Sequence, residues 1–164
     1  MTLSEFALDI IRRLLLTGDY YIADNKGEPL EWDEELPVSM IDLGYISQTL
    51  NGNSFNDGEK RVVYKQKKMI LGYLSKDAQH VSFHSDDFYR VLLSNSDGHH
   101  LAPKNSTWED LCKEGTAIRP NADKRESKGH RFITRVGKKR EWCIRIPVSK
   151  IWDINNNTEE NEGE

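Results

Sequence analysis

The chain has 164 residues, 30% of them charged, with a net charge of −4, only two cysteines and no run of about 18 uninterrupted apolar residues. This is enough for one ordinary domain or two small ones. It excludes a zinc quartet, a disulfide framework and a membrane span, and it makes a soluble, cytoplasmic protein in a reducing compartment the expectation. The amino terminus carries acids among its apolar residues, unlike the basic head of a signal peptide.

The net charge hides a segregation along the chain. Residues 1–58 hold 3 basic and 11 acidic side chains, net −8, whereas residues 104–150 hold 13 and 6, net +7. The segment 59–103 is +2 and the end 151–164 is −5. An acidic front and a basic back suit different partners, or each other.

Thr2 and Glu5 have the spacing of a capping box, and Leu3, Phe6, Ala7, Ile10, Ile11, Leu14 and Leu15 share one helical face, so a helix is predicted from the start to Gly18. Tyr20 to Trp32 alternates weakly around Asn25-Lys26-Gly27, a predicted hairpin, and an acidic run comes next at Asp33 to Glu35. Pro37 is placed to open a second helix over 38–50, through Val38, Ile41, Tyr45, Ile46, Thr49 and Leu50, closing on Asn51-Gly52. Composition and charge sign both change in the Gly- and Asn-rich stretch 51–58, which is the predicted boundary.

Beyond it, Val62, Val63, Met69, Ile70, Tyr73 and Leu74 predict a helix over 59–75, with Gly72 as its weak point. His80 to Phe83 reads as a short strand. Ser85, Asp86 and Asp87 supply a cap and first-turn acids for a short helix carrying Phe88, Val91 and Leu92. After a loop over 95–105, Ser106 and Glu109 form a second predicted capping box for a helix that buries Trp108, Leu111 and Cys112 and stops at Gly115. A basic loop, 119–131, leads into Arg131 to Pro147, a predicted hairpin turning at Gly137. There Phe132, Thr134, Val136, Trp142, Ile144 and Ile146 share a parity for burial, and Arg135, Cys143 and Arg145 point away. The acidic end after Ile154 lacks apolar anchors and is expected to be disordered.

Taken in order, residues 59–150 read helix, strand, helix, turn, helix, strand, basic loop, strand, and this resembles a winged helix-turn-helix domain. The resemblance is one of element order. It implies that Ser106 to Gly115 is a recognition helix entering the major groove, and that Arg131 to Pro147 is a wing touching phosphates with Lys138, Lys139 and Arg140 at its tip. Base readout would fall to Ser106, Thr107 and Lys113. Backbone clamping would fall to Arg119, Lys124, Arg125, Lys128, Arg131, Arg135 and the three tip cations. The helix itself carries Glu109, Asp110 and Glu114 against a single Lys113, which is unfavourable beside phosphates unless the acids face away.

Other constellations have plainer readings beside them. Asp97-Gly98-His99-His100, Pro103, Asn105, Asn121 and His130 loosely resemble an HNH-type nuclease, but no histidine sits on the helix that should return the last metal ligand, and histidines in loops are common. His80 and His84 are four apart, yet Val81-Ser82-Phe83 between them reads as strand, so a polar core edge is the better explanation. Tyr45 to Gly52 resembles the closing helix of a repressor-type helix-turn-helix, with Ser47, Gln48 and Asn51 as base readers; an amphipathic helix packing on residues 3–16 explains the same spacing. No glycine-rich phosphate loop or serine nucleophile motif appears, so neither catalytic residue, metal nor cofactor is expected.

These readings add up to an α+β protein with an acidic helix-hairpin-helix region over 1–55, a winged-helix-like basic domain over 59–150 and an acidic tail over 151–164. Its expected work is binding without chemistry: a nucleic-acid-binding regulator or replication accessory protein with DNA as partner, residues 1–55 serving a protein partner or a homodimer. An adaptor or inhibitor that uses the acidic half is the alternative, and a metal-dependent nuclease the third.

Overall fold

The computed structural model describes residues 1–51, 60–97, 100–120 and 127–153. The fold is α+β, built on a mixed sheet. Helix α1 (Leu3–Thr17) starts at the expected capping box: Thr2 Oγ1 accepts from the Glu5 amide at 3.1 Å and the Glu5 carboxylate accepts from the Thr2 amide at 3.2 Å. Its apolar stripe buries Ala7, Ile10, Ile11 and Leu15.

Strand β1 (Tyr20–Ala23) then enters the sheet, and the turn after it closes with a single antiparallel bridge between Ala23 and Pro29. No helix forms over 38–50. Gly44 has φ +99°, and a Cβ there would stand 2.4 Å from the Tyr20 carbonyl oxygen, so the chain turns sharply against β1 where a helix would have to continue. Tyr45 fixes this turn: its hydroxyl donates to the Ile22 carbonyl and accepts from the Leu30 amide.

The chain next forms a ribbon of β2 (Ile46–Asn51) and β3 (Lys60–Lys65), antiparallel, with Gln48 facing Val63. It continues into β4 (Met69–Leu74), so the helix expected over 59–75 is two strands. β-Branched Val62 and Val63 suit the ribbon, and Gly72 lets β5 (His80–His84) approach: a Cβ on Gly72 would lie 2.7 Å from Val81 Cγ1.

Helix α2 (Ser85–Ser94) is capped by His84, whose Nδ1 accepts from the Asp87 amide, and not by Ser85. Helix α3 (Lys104–Lys113) begins after Pro103, two residues earlier than expected, so Ser106 lies within its first turn and the expected second capping box does not form. Strands β6 (Ser127–Lys128), β7 (Arg131–Val136) and β8 (Lys139–Pro147) complete the sheet, and a short α4 (Val148–Trp152) comes after them. The observed order over 60–147 is thus three strands, two helices and three strands. The two-helix and hairpin portion of the expected order is present; its opening helix is not.

The sheet order is β1-β4-β5-β8-β7-β6, with β1 parallel to β4 and every other pair antiparallel. On one face Val81 and Phe83 of β5 face Ile146 and Ile144 of β8, and the helices cover them. Phe83 stacks on Phe88 of α2 at 4.5 Å, and Phe88 on Trp108 of α3 at 5.6 Å, a continuous aromatic column through the core. Residues from the first 50 and from 69 onward share this one core.

Replacing Trp108 by Ala empties the end of that column and is expected to lower unfolding free energy by roughly 3–5 kcal/mol, whereas Thr2→Ala removes only a cap and lowers it by about 1 kcal/mol. Urea denaturation followed by far-UV circular dichroism measures both.

Candidate nucleic-acid interface

The basic hairpin forms, but its register differs from the parity reading. A two-residue turn, Gly137-Lys138, joins Val136 to Lys139, so Phe132 faces Cys143, Ile133 faces Trp142, Thr134 faces Glu141 and Arg135 faces Arg140. Facing residues then have opposite parity. Phe132, Thr134 and Val136 share a face with Glu141, Cys143 and Arg145, not with Trp142 and Ile144 as expected.

The first of these faces looks away from the helices, and the turn after β1 lies against it at Val136. Arg145 lies over the Phe132 ring, 4.1 Å from its centroid, and donates to Thr134 Oγ1 at 3.3 Å; Cys143 is fully buried beneath them. Burial pushes the Cys143 thiol up to about 12 and, with Glu141 close by, the Tyr73 hydroxyl up to about 12, so both stay protonated. Burial next to the Arg145 guanidinium holds His80 below its ordinary 6.5, only partly opposed by Asp77. This face is a largely buried polar layer.

The second face carries Arg131, Ile133, Arg135, Arg140 and Trp142. The Arg131 guanidinium stacks over the Trp142 ring at 5.1 Å, and Arg135 and Arg140 are directly opposite one another, both exposed. Like charges placed opposite on a ribbon destabilise it by a few tenths of a kcal/mol or more. Lys138 and Lys139 at the tip are exposed, and neither they nor Arg135 makes an ion pair among the described residues.

The hairpin does not stand clear of the body along its whole length. A Cβ on Gly137 would be 3.2 Å from the Lys26 carbonyl, and one on Gly27 would be 3.3 Å from Val136 Cγ1, so the tip rests on the turn after β1. Asp24, which precedes this contact, accepts from the Lys26 and Glu28 amides, and Glu28 beside it is exposed.

The expected recognition helix contributes little. Thr107 is buried, 1% exposed, with its hydroxyl donating to the Ala102 carbonyl, and is removed from the set of base readers because the earlier start of α3 turns it into the core. Ser106 and Lys113 are at the surface, but they border a shallow cleft of about 360 Å³ together with Glu109 and Asp110. Arg119 is held by Glu109 at 2.9 Å, which leaves that acid partly neutralised and the arginine committed. Lys124 and Arg125 lie outside the described residues, and Lys128 is placed as backbone opposite Arg131.

The histidine constellation disperses as well. Asn105 and His130 meet at the same cleft, where His130 is 9% exposed and its Nε2 has no hydrogen-bond partner among the described residues. His100 is exposed on the loop, and His99 and Asn121 lie outside the described residues. Among the described residues no three His, Cys, Asp or Glu side chains gather as a metal-holding group. No described helix is long and apolar enough to cross a membrane. The chain matches no family model, no curated protein and no solved structure.

Two histidines give the fold a pH dependence. His80 and His130 are both held below 6.5, His80 by burial and Arg145, His130 by burial and Arg131. Below the ordinary value the unfolded chain binds protons that the folded chain resists, so stability present above pH 6.5 is lost as pH falls through the lower folded values. The urea midpoint is expected to fall between pH 7.5 and 5.5, and to fall less in His80→Gln.

Proposed function

We propose that the chain binds nucleic acid, DNA in the first instance, through the Arg135–Arg140 face of the β7–β8 hairpin where it extends beyond the core, and that it acts by binding and not by catalysis. The observation that carries this reading is the placing of exposed Arg135 opposite exposed Arg140, on the same face as the half-buried pair of Arg131 and Trp142. The arginines supply phosphate contacts, and Trp142 with its stacked guanidinium offers a planar surface to a base or sugar. Lys138 and Lys139 add positive charge at the turn.

The hairpin then works as the wing of a winged helix does, coming after two helices in the chain, with the role of α3 reduced to Ser106 and Lys113 at the margin. Regulation of transcription or assistance to replication both suit such a clamp.

A second reading, a protein adaptor, is favoured by one feature of the acidic half. Asp24, Glu31, Asp33, Glu35 and Asp77, against the single cation Lys76, line a cleft of about 310 Å³ together with Leu30, Leu36 and Leu74, a fit for a cationic peptide segment.

Mobility-shift titrations of duplex and single-stranded DNA between 50 and 200 mM salt separate the two. Arg135→Ala with Arg140→Ala is expected to weaken binding by roughly tenfold or more and to reduce the log–log salt slope by about 2, at about 0.9 per lost phosphate contact. Neutralising Glu31, Asp33 and Glu35 should leave the DNA titration intact. DNA binding unaltered by the double arginine change would overturn the hairpin's role, and loss of poly-lysine binding on neutralising the acids would favour the adaptor.

A further inference from the structure

The β2–β3 ribbon is a sheet of its own. β2 bonds to β3 alone, and along its other edge the backbone of 46–50 has no strand beside it among the described residues. Both faces are uncovered: Ile46 is 48% exposed, Leu50 42% and Val62 52%. Two strands in water are marginal, and an open strand edge with apolar side chains is a template for a third.

The two edges of the ribbon differ. β3 carries Lys60, Arg61 and Lys65, cations of the kind that keep an edge from pairing, whereas β2 from Ile46 to Asn51 has no charge at all. The open edge that invites a strand is therefore that of β2.

Its sequence also says which strand fits. Ile46-Ser47-Gln48-Thr49-Leu50 has the same chemistry read in either direction: aliphatic, hydroxyl, amide, hydroxyl, aliphatic. An antiparallel pair centred on Gln48 sets Ile46 against Leu50 and Ser47 against Thr49, once on each side of the axis. A self-complementary strand is what an isologous contact requires, since residue i must meet j and j must meet i; a pairing with an unrelated strand makes no such demand.

We propose that two copies of this chain associate through β2, edge to edge and antiparallel, about a two-fold axis at Gln48. The joined ribbons form a four-stranded sheet in which Ile46 packs against the partner's Leu50, with Val63 half-buried on the same face. Ser47 meets the partner's Thr49 on the other face, and Gln48 meets the partner's Gln48 at the centre.

Sedimentation velocity at tens of micromolar is expected to show a dimer for the full chain. Gln48→Lys places two ammonium groups face to face at the axis and should weaken association on the order of tenfold or more, with the circular dichroism spectrum unchanged. Gln48→Cys provides an independent reading: across a two-fold axis its thiols are close enough to join, so mild oxidation should give a covalent dimer on a non-reducing gel. Lys65→Cys, on the guarded edge, should not, and the native Cys112 and Cys143 are buried. A monomeric parent protein, a dimer indifferent to Gln48→Lys, or equal cross-linking from Gln48→Cys and Lys65→Cys would each overturn the proposal. None of these measurements involves DNA, so they stand apart from the nucleic-acid reading.

Discussion

The pairing of residues 80–84 with 143–147 is the constraint on which the rest of the molecule depends. Strand alternation sorts the two segments at once: Val81, Phe83, Ile144 and Ile146 face the helices, and Ser82, Cys143 and Arg145 face the other way. The apolar side receives Phe88 and Trp108 as a stacked column, so the pairing also positions α2 and α3. Because β8 runs on past its partner β5, its first residues extend beyond the core and carry the hairpin with them.

Charge segregation along the chain does not become charge segregation in space. β1, from the acidic front, lies parallel to β4 at the edge of the same sheet that carries the basic hairpin. The Ser4 hydroxyl and amide both donate to the Glu114 carboxylate, which ties the start of α1 to the end of α3. The tip of the basic hairpin rests on the turn after β1. A basic surface survives at the hairpin, where the register brings Arg131, Arg135 and Arg140 onto one face while Asp24 beside the tip is occupied by backbone amides.

Two ribbons leave the core, and they differ in chemistry. The β7–β8 hairpin is cationic with a stacked tryptophan, which suits a polyanion; the β2 edge is neutral and self-complementary, which suits another copy of itself. A dimer that presents two basic hairpins would gain affinity for an extended polyanion through effective concentration, with no further contact needed.

The first helix, the strand at 80–84, the helices around Phe88 and Trp108 and the basic hairpin were legible in the chain, because each is encoded by local signals: a capping box, alternation, an apolar stripe or a glycine turn. The segments 38–50 and 59–75 were not. Their apolar spacing satisfies a helix as well as a strand, and what decides between them is the close approach of Gly44 to β1 and of Gly72 to β5, contacts between residues far apart in sequence. The hairpin shows the same division: its existence and charge come from composition, but which arginines meet depends on the length of a turn, where one residue more would move each side chain to the opposite face. Local propensity and patterning thus determined which segments are apolar, charged or turning. Tertiary pairing alone decided which of them are strands, which faces they expose and which cations stand together, because those outcomes rest on contacts that no short window of sequence contains.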